Sequence, residues 1–504
     1  MDTLSALALG FEVALRPENL LIALIGSFLG TVIGALPGIG PVNGIAIMIP
    51  VCFALGLDPV SSLIMLCSIY YGCMYGGRIA SITLGIPGDE AAVMATLDGF
   101  PMAQKGKATV ALIISGVGSF FGGTVATIGL TLFAPALASL AIYFGPSEYV
   151  ALFIMAFLTV GGVATKHPTK TLLAVTFGLA LSTIGADSQS GIPRYTFDIL
   201  KLYDGINYIV VIVGAYAIGE YLSFLEEKDP GAVVRPKMEP LKSSYRNAWN
   251  DLQRCWGAIL RSSGIGFIIG ILPGAGPTLA SYLGYVTEKK ISDKDGTFGT
   301  GDPRGVAAPE TADNAAAGGA MVPMLTLGIP GSGGTAIMLA MLMSLNITPG
   351  PLLFERQPEI VWGLIAALYI SNVMLVVMNI PLVGFFVKML QVPPSLLMPV
   401  VMVFAIVGVY SINNVEIDIF LMIAFGVVGH ILRKAKVPII PIILGLLLGD
   451  ELENALRRAI AASGGDWTVL FDKPIAVGIY AFTLVAILAS IWLQRRGKRM
   501  EGAT

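Results

Sequence analysis

The chain has 504 residues, of which 55% are hydrophobic and 13% charged, with a formal net charge of −2. An ordinary soluble domain is about a quarter charged, so this composition excludes one. The near-neutral balance is spread along the chain, so nothing in it suggests nucleic acid. Apolar runs bounded by charges recur throughout, each about the 20 residues that cross a bilayer. The expected fold class is therefore an all-α polytopic membrane protein.

In chain order, Met1 to Gly10 lacks the basic start of a cleavable signal peptide. The first apolar helix is expected to act as the insertion signal. Residues 1–226 read as a first transmembrane repeat. Residues 227–255, rich in charge and proline, read as a cytoplasmic linker. Residues 256–460 read as a second transmembrane repeat, and 461–504 as a final helix with a basic cytoplasmic tail. The four cysteines, Cys52, Cys67, Cys73 and Cys255, have no disulfide or zinc spacing, and the three in apolar stretches read as packing residues.

Two motifs carry the repeat. Gly34-Ala35-Leu36-Pro37-Gly38-Ile39-Gly40-Pro41 returns 236 positions later as Gly270-Ile271-Leu272-Pro273-Gly274-Ala275-Gly276-Pro277. Thr83-Leu84-Gly85-Ile86-Pro87-Gly88 returns letter for letter, 243 positions later, as Thr326-Leu327-Gly328-Ile329-Pro330-Gly331. Proline and glycine break helices, and broken backbone survives in a bilayer only where protein or a polar cavity surrounds it. A lone Pro-Gly in a membrane helix is ordinarily a kink. Paired interruptions at matching points of two halves point instead to a transporter's binding site.

The positive-inside rule gives an orientation. The tail Arg495, Arg496, Lys498 and Arg499, the linker, and the loops Lys166–Lys170 and Arg433–Lys436 read as inside. Connections near Pro146, Asp187, Asn413–Asn414 and Asp466 read as outside. The alternation closes with the N-terminus outside and the C-terminus inside. It gives about 11 crossings in two inverted repeats, each carrying a re-entrant hairpin. Arg261 and Lys289–Lys290, both read as inside, flank the second hairpin tip at Pro273–Pro277. Ser263 to Leu272, at about 1.5 Å per residue, reaches only the middle of the bilayer.

Such a tip leaves backbone groups unpaired. The helix starting after it offers free N–H groups and a positive dipole end, which suit a carboxylate. Exposed carbonyls on the opposite limb suit a small cation. The expected substrate contacts are Gly38, Gly40, Ser81, Thr83, Gly88, Gly274, Gly276, Thr326, Gly331 and Ser332. Asn43 and Asn314 are the expected oxygen donors for the coupling cation, Na+ or H+. Arg78, Asp89, Glu310 and Asp313 lie near the motifs, with their contact to ligand left open. No cofactor is expected. Enzyme motifs fail: Gly106-Lys107-Ala108-Thr109 lacks the earlier glycine and the Ser/Thr of a phosphate loop, and His167 and His430 form no zinc-protease helix.

With these residues in view, the chain resembles the large membrane subunit of the tripartite tricarboxylate transporters. The resemblance rests on the two Pro-Gly-x-Gly-Pro tips and on Tyr75-Gly76-Gly77-Arg78 running into Gly85-Ile86-Pro87-Gly88-Asp89-Glu90. It also rests on Asp98-Gly99-Phe100-Pro101-Met102-Ala103, Gly305-Val306-Ala307-Ala308-Pro309-Glu310, Asn314 to Gly319, and Pro349-Gly350-Pro351. Arg78 and Gly85 stand where many members are expected to carry a small polar residue and an asparagine, and Asp313 where asparagine is expected. The resemblance implies a cation-driven symporter of carboxylates in the bacterial inner membrane. It also implies two partners, a periplasmic solute-binding protein and a small membrane subunit of about four helices. The alternatives from another class are an anion channel and a non-transporting membrane scaffold.

Overall fold

The structure is a computed structural model that describes residues 2–36, 39–162, 168–187, 189–226, 241–274, 276–390 and 394–501. Pro37, Gly38, Lys166, His167, linker residues 227–240 and Ala275 therefore lie outside the described residues. What is described is helical apart from loops and one short ladder, Gly185–Ala186 against Pro193–Arg194.

The first half opens with α1 (Thr3–Ala14), α2 (Pro17–Ala35), α3 (Gly40–Ala54) and α4 (Pro59–Leu84). It continues through α5 (Val93–Gln104), α6 (Ala108–Ala141), α7 (Pro146–Gly162), α8 (Pro168–Ser182) and α9 (Tyr208–Glu226). The second half has α10 (Leu241–Ile271), α11 (Gly276–Ser292), α12 (Pro303–Gly319), α13 (Met321–Leu327) and α14 (Gly333–Ser344). Then follow α15 (Pro358–Asn379), α16 (Pro394–Asn413), α17 (Glu416–Lys434), α18 (Ile440–Ala462) and α19 (Pro474–Glu501).

Among the described residues five helices, α2, α4, α6, α9 and α15, are long and apolar enough to cross a membrane, and shorter apolar helices accompany them. The chain is a multi-pass, all-α membrane protein. Its helix boundaries follow local chemistry. Asp58 caps α4 by accepting from Val60 N at 2.9 Å and Ser61 N at 3.1 Å, and Pro59 occupies the first helical position. Gly85 ends α4 in the left-handed conformation at φ 70°, and Gly328 ends α13 at the same angle.

Glycine spacing sets the closest packing. On α2, Gly26, Gly30 and Gly34 let α4 approach: a Cβ on Gly30 would lie 2.5 Å from the Ile69 carbonyl, and one on Gly34 2.3 Å from that of Cys73. On α10, Gly266 and Gly270 stand 2.3 and 2.4 Å, by the same measure, from the carbonyls of Ala312 and Ala316 on α12. This is small-residue helix packing, in which backbones touch and dispersion replaces bulk. Helices also cross between halves: α6 packs on α10 and α12, and α15 packs on α4.

One element differs from expectation. The segment read as linker up to residue 255 is helical from Leu241, and α10 runs unbroken to Ile271. The charges Arg246 and Arg254 hid an amphipathic face, because Ser244, Ala248, Leu252, Cys255 and Ile259 are buried at helical spacing. All four cysteines are buried and free.

Candidate functional site

Each half builds its break in the same way. α2 stops at Ala35 and α3 starts at Gly40, whose φ of 62° a residue with a Cβ rarely adopts. α10 stops at Ile271 and α11 starts at Gly276, with the same φ of 62°. Across the second break Arg261 of α10 holds Glu288 of α11 through Nε at 3.0 Å and Nη2 at 2.8 Å, so the two limbs lie side by side.

The contacts around the breaks recur at the 236 and 243 offsets. A Cβ on Gly88 would lie 2.5 Å from Gly77 Cα and 3.0 Å from the Gly34 carbonyl. On Gly331 it would lie 2.7 Å from Ala320 Cα and 3.0 Å from the Gly270 carbonyl. On Gly40 it would meet Asp89 Cβ at 3.2 Å, and on Gly276 it would meet Ser332 Cβ at 4.0 Å. Thus each Pro-Gly loop after α4 or α13 folds back onto the start of the helix that follows its own half's first break.

The halves also meet each other here. Tyr70 Oη on α4 lies 3.1 Å from Ser332 Oγ at the start of α14. Ser281 Oγ on α11 donates to the Ala91 carbonyl at 2.8 Å. A Cβ on Gly333 would stand 3.1 Å from Val42 Cγ2 on α3.

The expected site residues fall into groups. Gly40, Gly88, Gly276, Gly331 and Ser332 surround the breaks. Gly274 sits in the second break at φ 75°. Asn43 is buried one turn into α3. Ser332 caps α14 in a reciprocal arrangement with Thr335. Thr83 and Thr326 are turned into their own helices, donating to the carbonyls of Ile79 at 2.6 Å and Val322 at 2.7 Å. Ser81 donates to the Gly77 carbonyl at 2.9 Å and accepts from Gly88 N at 3.3 Å, bracing the Pro-Gly loop. Asn314 donates from Nδ2 to the Glu310 carbonyl at 3.1 Å, while its Oδ1 is buried without a partner.

Behind the breaks lies a buried polar layer. Arg78, 2% exposed, donates to Ser119 Oγ on α6 at 2.7 Å and stacks 4.0 Å over the Tyr75 ring. Ser115 on α6 donates to Glu310 Oε2 at 3.0 Å. Tyr75 Oη donates to Asn372 Oδ1 on α15 at 3.3 Å, and Asn372 donates to Thr124 Oγ1 at 3.0 Å. Asp89 is partly buried, and a Cβ on Gly77 would lie 3.3 Å from its Oδ2. The sequence reading missed Tyr70, Ser115, Ser119 and Asn372. Tyr70 was within reach, since it is the 243-offset counterpart of Asp313. The α6 and α15 partners were not, because nothing local marks a serine or asparagine that meets a helix distant in sequence.

Matched backbone breaks, glycine-lined and ringed by buried polar side chains, define a polytopic membrane transporter subunit. The chain belongs to the tripartite tricarboxylate transporter TctA family, whose sequence profile matches residues 20–444. It is 40% identical over 503 residues, 99% of this chain and 98% of the other, to an uncharacterised 52.8 kDa protein of the TAR-I ttuC' 3' region of Agrobacterium vitis. It is 42% identical over 234 residues, 46% of this chain and 97% of the other, to a protein of the TAR-II ttuC' 3' region of the same organism. An uncharacterised protein of Methanocaldococcus jannaschii is 30% identical over 170 residues, 32% of this chain and 42% of the other. No solved structure matches.

Proposed function

We propose that the chain is the permease subunit of a solute-binding-protein-dependent secondary transporter. It imports a di- or tricarboxylate or a related organic anion across the bacterial inner membrane, coupled to a Na+ or H+ gradient, and performs no catalysis itself. Its partners are a periplasmic binding protein and a small membrane subunit. Its two halves are inverted repeats with the N-terminus outside, and their breaks are re-entrant hairpins.

The observation that carries this reading is the pair of equivalent breaks, Gly40 against Asp89 and Gly276 against Ser332, joined across the halves by Tyr70 and Ser281. Backbone N–H groups at the starts of α3 and α11 receive the substrate carboxylates, with Gly38, Gly274, Gly88 and Gly331 keeping the approach clear. Ser332 supplies a side-chain hydroxyl, and Ser81, Thr83 and Thr326 shape the loops that hold it. Asn43 and Asn314 offer amide oxygens to the cation.

The test is uptake of radiolabelled citrate and of other di- and tricarboxylates into vesicles. These contain all three subunits, an imposed sodium or proton gradient and no nucleotide. At least one carboxylate should accumulate, and collapsing the gradient should stop it. An absolute need for ATP refutes the mechanism, and gradient-independent flux down the substrate's own gradient marks a channel.

A further inference from the structure

We propose that Asp89 and Asp313, one from each half, are the charged ligands of a sodium ion, with the Asn314 amide oxygen and loop carbonyls completing an all-oxygen site. This rests on the reading above that a cation gradient drives transport.

The first observation is a pair of orphaned acceptors. Asp313 is 3% exposed and Asn314 is fully buried, and Oδ1 of each lacks a hydrogen-bond partner. The Asn314 oxygen can only accept, and so can that of an ionised Asp313. Buried acceptors are ordinarily paired, so two on adjacent residues call for a donor or a cation.

The second observation is the repeat. Tyr70 and Asp313 occupy equivalent positions, as do Ser332 and Asp89. In one direction across the halves the pair is Tyr70 and Ser332, two hydroxyls 3.1 Å apart. In the other direction the counterpart pair is Asp313 and Asp89, and Asp313 lies within electrostatic range of Asp89. By the same architecture, the repeat matches this neutral pair on one side with two carboxylates on the other. Like charges so related are relieved by a proton or by a cation between them.

The surroundings agree. Asp313 also senses Glu310, on its own helix, and Arg78 and Tyr70 on α4. From α5 and α11, Asp98 and Glu288 meet the far end of α12, near Gly305 and Arg304. Arg78 forms no ion pair with the three carboxylates among the described residues, being turned to Ser119 and the Tyr75 ring. Were all three carboxyls ionised, Arg78 would balance one of them, and uncompensated charge in the membrane interior is costly. Among the described residues no three acidic, histidine or cysteine side chains form a metal-binding group. Two carboxylates with neutral oxygens suit a hard monovalent ion better than a divalent one. The Gly88 carbonyl lies 3.9 Å from the Cβ position of Gly40, beside Asp89, and supplies broken-backbone oxygen of the kind that coordinates sodium. Asp89 is partly exposed.

The test is binding of radioactive sodium to the purified full-length chain in detergent. The unaltered chain should bind sodium saturably, and its melting temperature should rise in sodium but not in choline at equal ionic strength. Asp313→Asn and Asp89→Asn should each weaken sodium binding about tenfold or more. Asp472→Asn, an exposed carboxylate outside the cluster, should leave it unchanged. Absence of saturable binding or of the sodium-specific melting shift in the unaltered chain overturns the site, and needs no variant to fold. Unchanged affinity in both Asp variants also overturns it. Proton-driven uptake without sodium binding sinks this site and leaves the proposed function standing. Sodium binding without uptake under any gradient does the reverse.

Discussion

A methyl group on Gly88 would sit 2.5 Å from Gly77 Cα, and one on Gly331 2.7 Å from Ala320 Cα. Neither neighbour is a flexible side-chain tip, so the backbone itself would have to move. Gly88→Val and Gly331→Val should therefore push the Pro-Gly loop away from its helix, abolishing uptake while the protein still inserts. Membrane yield together with vesicle uptake checks this, and near-normal uptake in either variant would make the loop a passive kink. Which glycines lie at the breaks and loops was legible in the sequence, because the motif repeats letter for letter. What each glycine faces was not. Gly88 touches helix backbone, whereas Gly40 faces the Asp89 side chain. Thr83 and Thr326 show the same limit. A hydroxyl beside a break looks available to ligand, but inside a helix it can turn to the carbonyl four residues back.

Among the elements, α5 clasps the second half through one side chain. Asp98 Oδ1 accepts from the backbone N–H groups of Gly299, Gly301 and Asp302, each at 2.8 Å, and Oδ2 accepts from Tyr285 Oη at 3.0 Å. Lys105 Nζ adds a bond to the Thr300 carbonyl at 2.6 Å. Gly305 admits the clasp, since a Cβ there would lie 2.0 Å from Asp98 Oδ2. Asp98→Ala leaves four donors without their carboxylate at a buried junction, a loss on the order of 3 kcal/mol. The melting temperature should fall, and protease should cut the 293–302 loop faster. An unchanged melting temperature and cutting rate would show that other contacts hold the loop. Sequence marked Asp98 only as part of a family stretch, because its partners lie some 200 positions away. It also ended the linker too late: the charges of Arg246 and Arg254 outweighed the buried stripe from Ser244 to Ile259 that makes the start of α10 part of the helical body.

At the scale of the whole molecule, composition and run length sufficed for an all-α membrane protein, since a bilayer admits few other solutions. The pairing of halves needed three dimensions. α6 of the first half packs on α10 and α12 of the second, and α15 of the second packs on α4 of the first. This exchange carries Ser115 to Glu310 and Asn372 to Tyr75, while Ser119 meets Arg78 within the first half. The central claim is that two halves of opposite orientation bring their equivalent breaks to one site. The proposed orientation rests on charge bias along the chain: an odd number of crossings would run from outside to the linker, and the same unit would then run from the linker to outside before the last helix returns. The most direct measurement is a set of topology reporters fused at Glu227, Asp466 and Arg499. The account predicts cytoplasmic readouts at Glu227 and Arg499 and a periplasmic one at Asp466, and opposite readouts at Glu227 and Arg499 would contradict it.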